Sequence, residues 1–318
     1  MPKIVILDAH TTNPGDLDWK PIRNHGELTV YDRTPVEEVL KRCKGANVIL
    51  TNKVVFDEAI FEKLPDLQLI STLSTGYNTI NIEAAKKHNV RVCNVSGYST
   101  TAVAQQVFAY LLNFSNMVEK HNASVQAGEW ENHIDWCYFL QPVHELEGKT
   151  LSILGLGKIG KQVAKLALAF GMKVLAYRKN EAKGSPEGVK LVDLENLFSR
   201  ADFLTLHAPL TSETEGIVQK KMLAKMKSTA VLINTGRGGL VVENDLRIAL
   251  ETGVIAGAAV DVLSSEPPRD GNVLIGLKNC LITPHNAWMS VEARSRLIEE
   301  SGQNIAAFLE GKPRNVVA

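Results

Sequence analysis

Residues 150–160 read TLSILGLGKIG: an apolar strand-like run breaks into Gly155-Leu156-Gly157-Lys158-Ile159-Gly160 and continues as an apolar helical run over residues 159–170. Alone, G-x-G-x-x-G marks only a turn, because three glycines in six residues arise often by chance. Between a strand and a helix the pattern has a mechanism. The first glycine permits the tight turn, the second lets a pyrophosphate approach the backbone, and the third packs the helix on the strand. The helix N-terminus adds unpaired N–H groups and a partial positive charge. The stretch therefore predicts a dinucleotide-binding βαβ unit, with Gly155, Gly157, Lys158, Ile159 and Gly160 at the cofactor.

Working outward, the runs KVLAYR, VKLV, ADFLTLHAP, AVLINTGRGG, VIAGAAVDV and NCLITPH follow downstream. Upstream, residues 3–8, 28–31, 48–51, 67–73 and 90–93 are short β-rich runs separated by helix-like segments. Strands alternating with helices give parallel sheets covered on both faces. The fold class is α/β: a Rossmann dinucleotide-binding domain plus a smaller flavodoxin-like α/β domain. The last helical segment, residues 291–310, is expected to pack back on the first sheet. That makes a discontinuous substrate-binding domain of residues 1–99 and 289–318 around a dinucleotide-binding domain of residues 100–288. Residues 34–43 read as one helix opened by a capping box of Thr34 and Glu37 with Pro35 at its first position. Residues 101–118 read as a further helix. An arm over residues 122–147 carries Trp130, Trp136, Tyr138 and Phe139 with little periodicity. It is expected to be the contact of a homodimer; the alternative is a loop folded over its own subunit.

The chain has 318 residues, enough for two cores. Lys and Arg total 35, as do Asp and Glu. With no net charge there is no electrostatic footprint for nucleic acid or an anionic membrane, so a small-molecule partner is expected. Cys43, Cys93, Cys137 and Cys280 form no C-x-x-C pair, which argues against a zinc knuckle or a redox dithiol; no metal site is expected. The first apolar run is too short for a signal peptide, and polar residues interrupt the longest charge-free stretch, so a cytoplasmic protein without a membrane span is expected.

Three polar residues stand at or just beyond later strand ends, where an open α/β sheet places its ligand crevice: Arg237 in INTGRGG, Glu266 in DVLSSEPP and His285 in TPHNAW. Their types suit reduction of a 2-keto acid: a cation for the carboxylate, a proton donor for the carbonyl, and an acid beside the donor's imidazole to favour its protonated form. Each also has a plain alternative, as a surface ion pair, a loop acid before two prolines and a hydrogen-bonded turn residue. The strand after the glycine loop ends in Arg178 and Lys179 rather than in the acid that would hold an NAD ribose hydroxyl. A guanidinium there can bind a 2′-phosphate, which leans the cofactor from NAD toward NADP; the alternative is two solvated basic residues.

The set GLGKIG, HAPLT, INTGRGGLV, DVLSSEPP and ITPHNAW resembles, in order and spacing, the D-2-hydroxyacid dehydrogenases. Together with TNKVVF, STGYNTINIEAA, NVSGYSTTAVAQQVFAYLL, GEW and AFLEGKPRNVV, it looks most like their glycerate dehydrogenase, or hydroxypyruvate reductase, branch. The resemblance covers nearly the whole chain. It implies catalytic roles for Arg237, Glu266 and His285, and a substrate carboxylate held by the backbone N–H groups of Thr75 and Gly76 together with Arg237. It also implies that Asp261 holds the nicotinamide carboxamide and that His207, Pro209 and Thr235 line the cofactor. Gln105 stands where many relatives have glutamate. Arg178 departs from the usual aspartate, and Asn286 from the usual apolar residue. The chain ends straight after its last helix, so the regulatory domain of many phosphoglycerate dehydrogenases is not expected, and no Lys and Arg cluster near Thr75 or Lys53 marks a phosphate pocket, although Lys53 could bind one. Hydroxypyruvate is therefore the expected substrate. Glyoxylate reductase, phosphoglycerate dehydrogenase and a dinucleotide-sensing corepressor-like protein are the alternatives.

Overall fold

The computed structural model describes residues 1–318, the side chain of Glu181 excepted. They fall into two units, Met1–Ser99 with Trp288–Ala318, and Thr100–Ala287. In the first, β1 (Lys3–Ile6), β2 (Glu27–Val30), β3 (Val48–Thr51), β4 (Leu69–Thr72) and β5 (Arg91–Cys93) form an all-parallel sheet in the order β2-β1-β3-β4-β5, which is flavodoxin-like. In the second, β6 (Thr150–Leu154), β7 (Lys173–Tyr177), β8 (Val189–Leu191), β9 (Phe203–Leu206), β10 (Val231–Asn234), β11 (Gly257–Val260) and β12 (Cys280–Ile282) are also parallel, in the order β12-β11-β10-β9-β6-β7-β8. Its six central and edge strands from β8 to β11 follow the Rossmann order, with β12 added beyond.

Strands buried on both faces read as continuous apolar runs. VILT, LIST, FLTL, VLIN and GAAV are buried at every position. In the second unit, alternate side chains feed two cores, one holding Leu154, Leu204, Leu232 and Ala258, the other Ile153, Phe203, Ile233 and Ala259. The helix Thr100–Asn116 adds Ala104, Val107, Phe108 and Leu111 to the second core, beside Val163, Ala164 and Ala167 of the helix Lys158–Ala169. Each fully buried Leu, Ile or Phe contributes about 1.5–3 kcal/mol. In the first unit, Leu7, Ile49, Phe56, Phe61, Ile70 and Val92 form the core of one face. The long helix Val291–Leu309 contacts β4, and Ser290 caps it by accepting the Ala293 N–H.

Two local expectations are corrected. Residues 34–43 do not start with a capping box: a 3-10 turn, Val36–Glu38, precedes the helix Val39–Cys43. The Thr34 hydroxyl instead donates to Leu7 O at 2.5 Å and accepts from Arg42 Nη1 at 2.9 Å, a long-range pairing that outcompetes the local cap. The helix read over residues 101–118 ends at Asn116, because Met117 turns left-handed at φ 51°. A second helix, Val118–Gln126, then enters the stretch read as non-periodic. The rest of the arm is irregular but tied down: Trp130 Nε1 donates to Trp136 O at 3.0 Å, Ser124 Oγ meets Glu129 Oε2 and Tyr138 Oη at 2.5 and 2.6 Å, and His133 stacks on Tyr138.

Candidate active site

The sheet of the second unit reverses its winding between β6 and β9, the place where such sheets open a crevice at their carboxyl ends. Gly155 leaves β6 at φ +100°, and a Cβ there would stand 2.5 Å from Ala208 N. A Cβ on Gly160 would meet Gly155 O at 2.3 Å, so the helix lies directly on the turn. At Gly157 a Cβ would meet nothing within 4 Å, and this residue caps the helix without a side-chain acceptor for its first N–H groups. On the loops after β9 and β10, His207 Nδ1 and Thr235 Oγ1 are buried without a protein partner among the described residues. A glycine-bounded opening before a bare helix N-terminus, with orphaned polar atoms nearby, fits a dinucleotide pyrophosphate. Burial pushes the His207 imidazole down to about 3, so it stays neutral at ordinary pH. Ile159 packs against the core, Lys158 opens the helix, and Pro209 O accepts from Thr214 Oγ1 at 2.6 Å.

Arg178 directly follows β7, and its Nη1 donates to Gly184 O at 2.8 Å. Lys179 Nζ reaches both oxygens of Glu213, at 2.7 and 2.6 Å, in an exposed ion pair. The strand ends in Arg178 and Lys179 rather than in an acid, and the nearest described carboxylate, that of Glu213, is paired with Lys179.

The three reaction candidates lie on loops after adjacent strands. His285 follows β12 and Glu266 follows β11; Glu266 Oε2 stands 2.6 Å from His285 Nδ1. A carboxylate can only accept, so Nδ1 carries the shared proton and Nε2 is left for a ligand. Both side chains are about 30% exposed, at 30% and 28%. Glu266 Oε1 accepts Leu263 N–H at 2.9 Å, which fixes the carboxylate from its own loop. That loop is latched in turn by Glu243, which accepts Ser264 N–H, Ser264 Oγ and Asn272 Nδ2 at 2.8, 2.6 and 2.9 Å. Arg237 follows β10. Asn234 shapes its turn, accepting Gly236 N–H at 3.0 Å and donating to Arg237 O at 2.9 Å. Glu266 and His285 are thus in contact, while Arg237 joins them through its neighbour: Gly238 abuts the Leu263 backbone so closely that a Cβ would lie 2.0 Å from it.

His285 sits in the left-handed region at φ 52°, a conformation that costs a non-glycine residue of order 1–3 kcal/mol. Asp261 holds it there. Its carbonyl accepts His285 N–H at 2.8 Å, and its buried carboxylate accepts Thr283 Oγ1, Asn286 N–H and Ala287 N–H at 2.5, 3.0 and 3.1 Å. Burial raises the Asp261 carboxyl above the usual range, against the opposing pull of those donors. Sequence reasoning missed Asn234, Glu243 and Thr283, whose type or neighbouring motif gave no sign of these partners.

In the first unit, Asp8 closes the end of β1 over the loop after β3, accepting Asn52 N–H at 2.9 Å and Lys53 N–H at 2.6 Å. Thr75 and Gly76 lie after β4. Thr75 Oγ1 donates to Val95 O at 2.8 Å and Asn94 Nδ2 donates to Thr75 O at 2.7 Å. Among the described residues, the N–H groups of Thr75 and Gly76 donate to no protein acceptor. Gln105 is exposed on the helix Thr100–Asn116. Among the described residues no His, Cys, Asp and Glu cluster could hold a metal ion, and no helix is long and apolar enough to cross a membrane. Burial pushes the Cys43 and Cys280 thiols up to about 12 and Cys93 up to about 11, which keeps them protonated.

A family model described as D-isomer specific 2-hydroxyacid dehydrogenase, NAD binding domain, matches residues 108–287. The chain is 45% identical to a hydroxypyruvate reductase of Blautia hydrogenotrophica, over 99% of each chain. It is 39% identical to a glycerate dehydrogenase of Methylorubrum extorquens, over 99% of this chain and 98% of that one. Among solved structures, an acyclic imino acid reductase, Bsp5, in complex with NADPH and D-Arg matches with a TM-score of 0.87 and 32% identity, over 99% of this chain and 100% of that one.

Proposed function

The chain belongs to the D-isomer specific 2-hydroxyacid dehydrogenases, oxidoreductases that act on 2-hydroxy acids, and from that membership we infer that it interconverts hydroxypyruvate and D-glycerate. The 2.6 Å contact between Glu266 and His285, on loops beside that of Arg237, carries this reading. When bound, the dihydronicotinamide supplies the hydride that adds to C2 of the keto acid. His285 gives the Nε2 proton to the carbonyl oxygen, and Glu266, holding Nδ1, fixes the imidazole's orientation and stabilises its charged form. The Arg237 guanidinium pairs with the substrate carboxylate and favours the negative charge developing on the carbonyl oxygen. The free amides of Thr75 and Gly76 are donors suited to a carboxylate. Asp261 acts on the nicotinamide carboxamide, and Gly155, Gly157, Lys158, Ile159, Gly160, His207, Pro209 and Thr235 form the dinucleotide site. The 45% identity to a hydroxypyruvate reductase supports the substrate.

NADPH is the preferred donor in this reading. Arg178 offers a 2′-phosphate a guanidinium, beside Lys179 in its exposed pair with Glu213, and a charge-assisted contact is worth about 1.5–3 kcal/mol, or ten- to a hundredfold in affinity. A similar enzyme in complex with NADPH is in line with this. The test is consumption of NADPH and NADH with hydroxypyruvate, glyoxylate and pyruvate. Hydroxypyruvate should give the highest kcat/KM, with the NADPH value above that for NADH, and Arg178→Asp should invert the cofactor order. Equal rates on all three acids would remove the substrate assignment. A ratio of kcat/KM for NADPH over NADH below one in the parent would remove the cofactor assignment.

A further inference from the structure

The helix Thr100–Asn116 contributes more than apolar packing to the second unit. Tyr110, 4% exposed, brings its hydroxyl to 2.5 Å from Thr283 Oγ1, and Thr283 Oγ1 in turn donates to Asp261 Oδ1 at 2.5 Å. The Gln106 side chain, one helical turn earlier, interacts with the same phenol. The direction of this chain follows from valence. A threonine hydroxyl has one proton, and the carboxylate takes it, so Thr283 can only accept from Tyr110 and the phenol is the donor.

The chain ends on the carboxylate that organises the turn bearing His285. Asp261 Oδ1 is shared between Thr283 Oγ1 and Asn286 N–H, Oδ2 takes Ala287 N–H, and its carbonyl takes His285 N–H. Thr283 and Asn286 flank a residue held in the left-handed region, so the orientation of one carboxylate sets the backbone on both sides of His285. At 2% exposure the carboxylate takes its orientation from its protein donors. Among the described residues its one side-chain donor is the Thr283 hydroxyl, whose own rotor is fixed by Tyr110 from the helix Thr100–Asn116. Hydrogen bonds in series polarise one another, so loss of the first weakens the second.

We propose that Tyr110 is a positioning residue for the proton donor: through Thr283 and Asp261 it fixes the turn that aims His285, and with it the rate of proton transfer. The proposal rests on the reading of His285 as general acid. Neither Tyr110 nor Thr283 needs to touch substrate or dinucleotide.

The experiment uses Tyr110→Phe, Thr283→Val, Thr283→Ser and the double variant Tyr110→Phe/Thr283→Val in the full chain. Two readouts are taken: steady-state kinetics with hydroxypyruvate, and hydrogen exchange of the 283–287 amides in the dinucleotide-free protein. Tyr110→Phe keeps the ring and should lower kcat about two- to tenfold, the size of one neutral hydrogen bond, a larger change than that in KM for the dinucleotide, which Asp261 also touches in the proposed function. Exchange at Asn286 and Ala287 should accelerate by a similar factor. Thr283→Val should behave alike, the double variant should be no worse than the poorer single one, and Thr283→Ser should keep parental kcat and exchange. Unchanged exchange and kcat in Tyr110→Phe, losses that multiply in the double variant, or a serine variant as impaired as valine would each overturn the proposal. If Tyr110→Phe does not fold, the serine and valine pair decides. A parent that exchanges as described but reduces no 2-keto acid would defeat the functional reading instead, while the exchange data still test the turn.

Discussion

His207 and His285 both follow strands of the seven-stranded sheet, but only His285 has a carboxylate beside it. His285→Ala should lower kcat for reduction by about 10²–10⁴, the usual span of general acid catalysis, in a steady-state assay. Glu266→Gln should cost less, because an amide oxygen can still accept from His285 Nδ1 and keep the ring oriented. His207 predicts an effect on stability rather than on rate. Its folded value of about 3 lies below the 6.5 of an exposed histidine, so between those values the unfolded chain binds a proton that the folded chain refuses. Stability therefore drops as pH falls from about 6.5 toward 3, by at most about 1.4 kcal/mol per pH unit from this residue. His207→Gln should flatten that dependence, which urea denaturation at pH 7 and pH 5 measures; parallel slopes in parent and variant would contradict it.

At the scale of elements, the connection between β11 and β12 carries Glu266, yet its shape is imposed from outside by Glu243 on the helix Glu243–Glu251. Glu243→Ala removes the acceptor for three donors and should cost about 1.5–3 kcal/mol in urea denaturation. It should also lower kcat, because Glu266 is held on the loop that Glu243 latches. Such latches explain where sequence reading stops. Parallel strands were legible because runs such as VILT and VLIN are apolar at nearly every position, and the glycine loop because it sits between two of them. The residue types of Arg237, Glu266 and His285 could be read from strand ends and motif resemblance, but not the 2.6 Å contact. Glu243 and Tyr110 are distant in sequence from the residues they serve, Thr283 stands beside His285 but 22 residues from Asp261, and their types are equally at home on a helix or a loop. Thr34 shows the reverse failure, where a sound local cap signal yields to Leu7 O, 27 residues away.

At the scale of the whole molecule, the arm carries a cluster of exposed apolar side chains: Trp136 is 86% exposed, Ile134 95% and Phe139 71%. Local bonds such as that from Trp130 Nε1 to Trp136 O hold them in place, so the entropic cost of docking is already partly met. A self-complementary homodimer through residues 122–147 is the expected consequence. Light scattering at micromolar concentration should return twice the mass of one chain, and Trp136→Ser with Phe139→Ser should return the single mass; a parent that stays monomeric would exclude this assembly. The first unit is assembled from both ends of the chain, with β5 paired to residues 316–318 and β4 covered by the helix Val291–Leu309. A ribosome therefore releases five strands of that unit long before the helix that completes it, and at about 5–20 residues per second the wait is about 10–40 s. That interval is filled by synthesis of the second unit, whose last strand is complete at Ile282, so the nascent N-terminal sheet waits with β4 still bare while a whole second sheet is made beside it, and it is the part of the chain most in need of a chaperone.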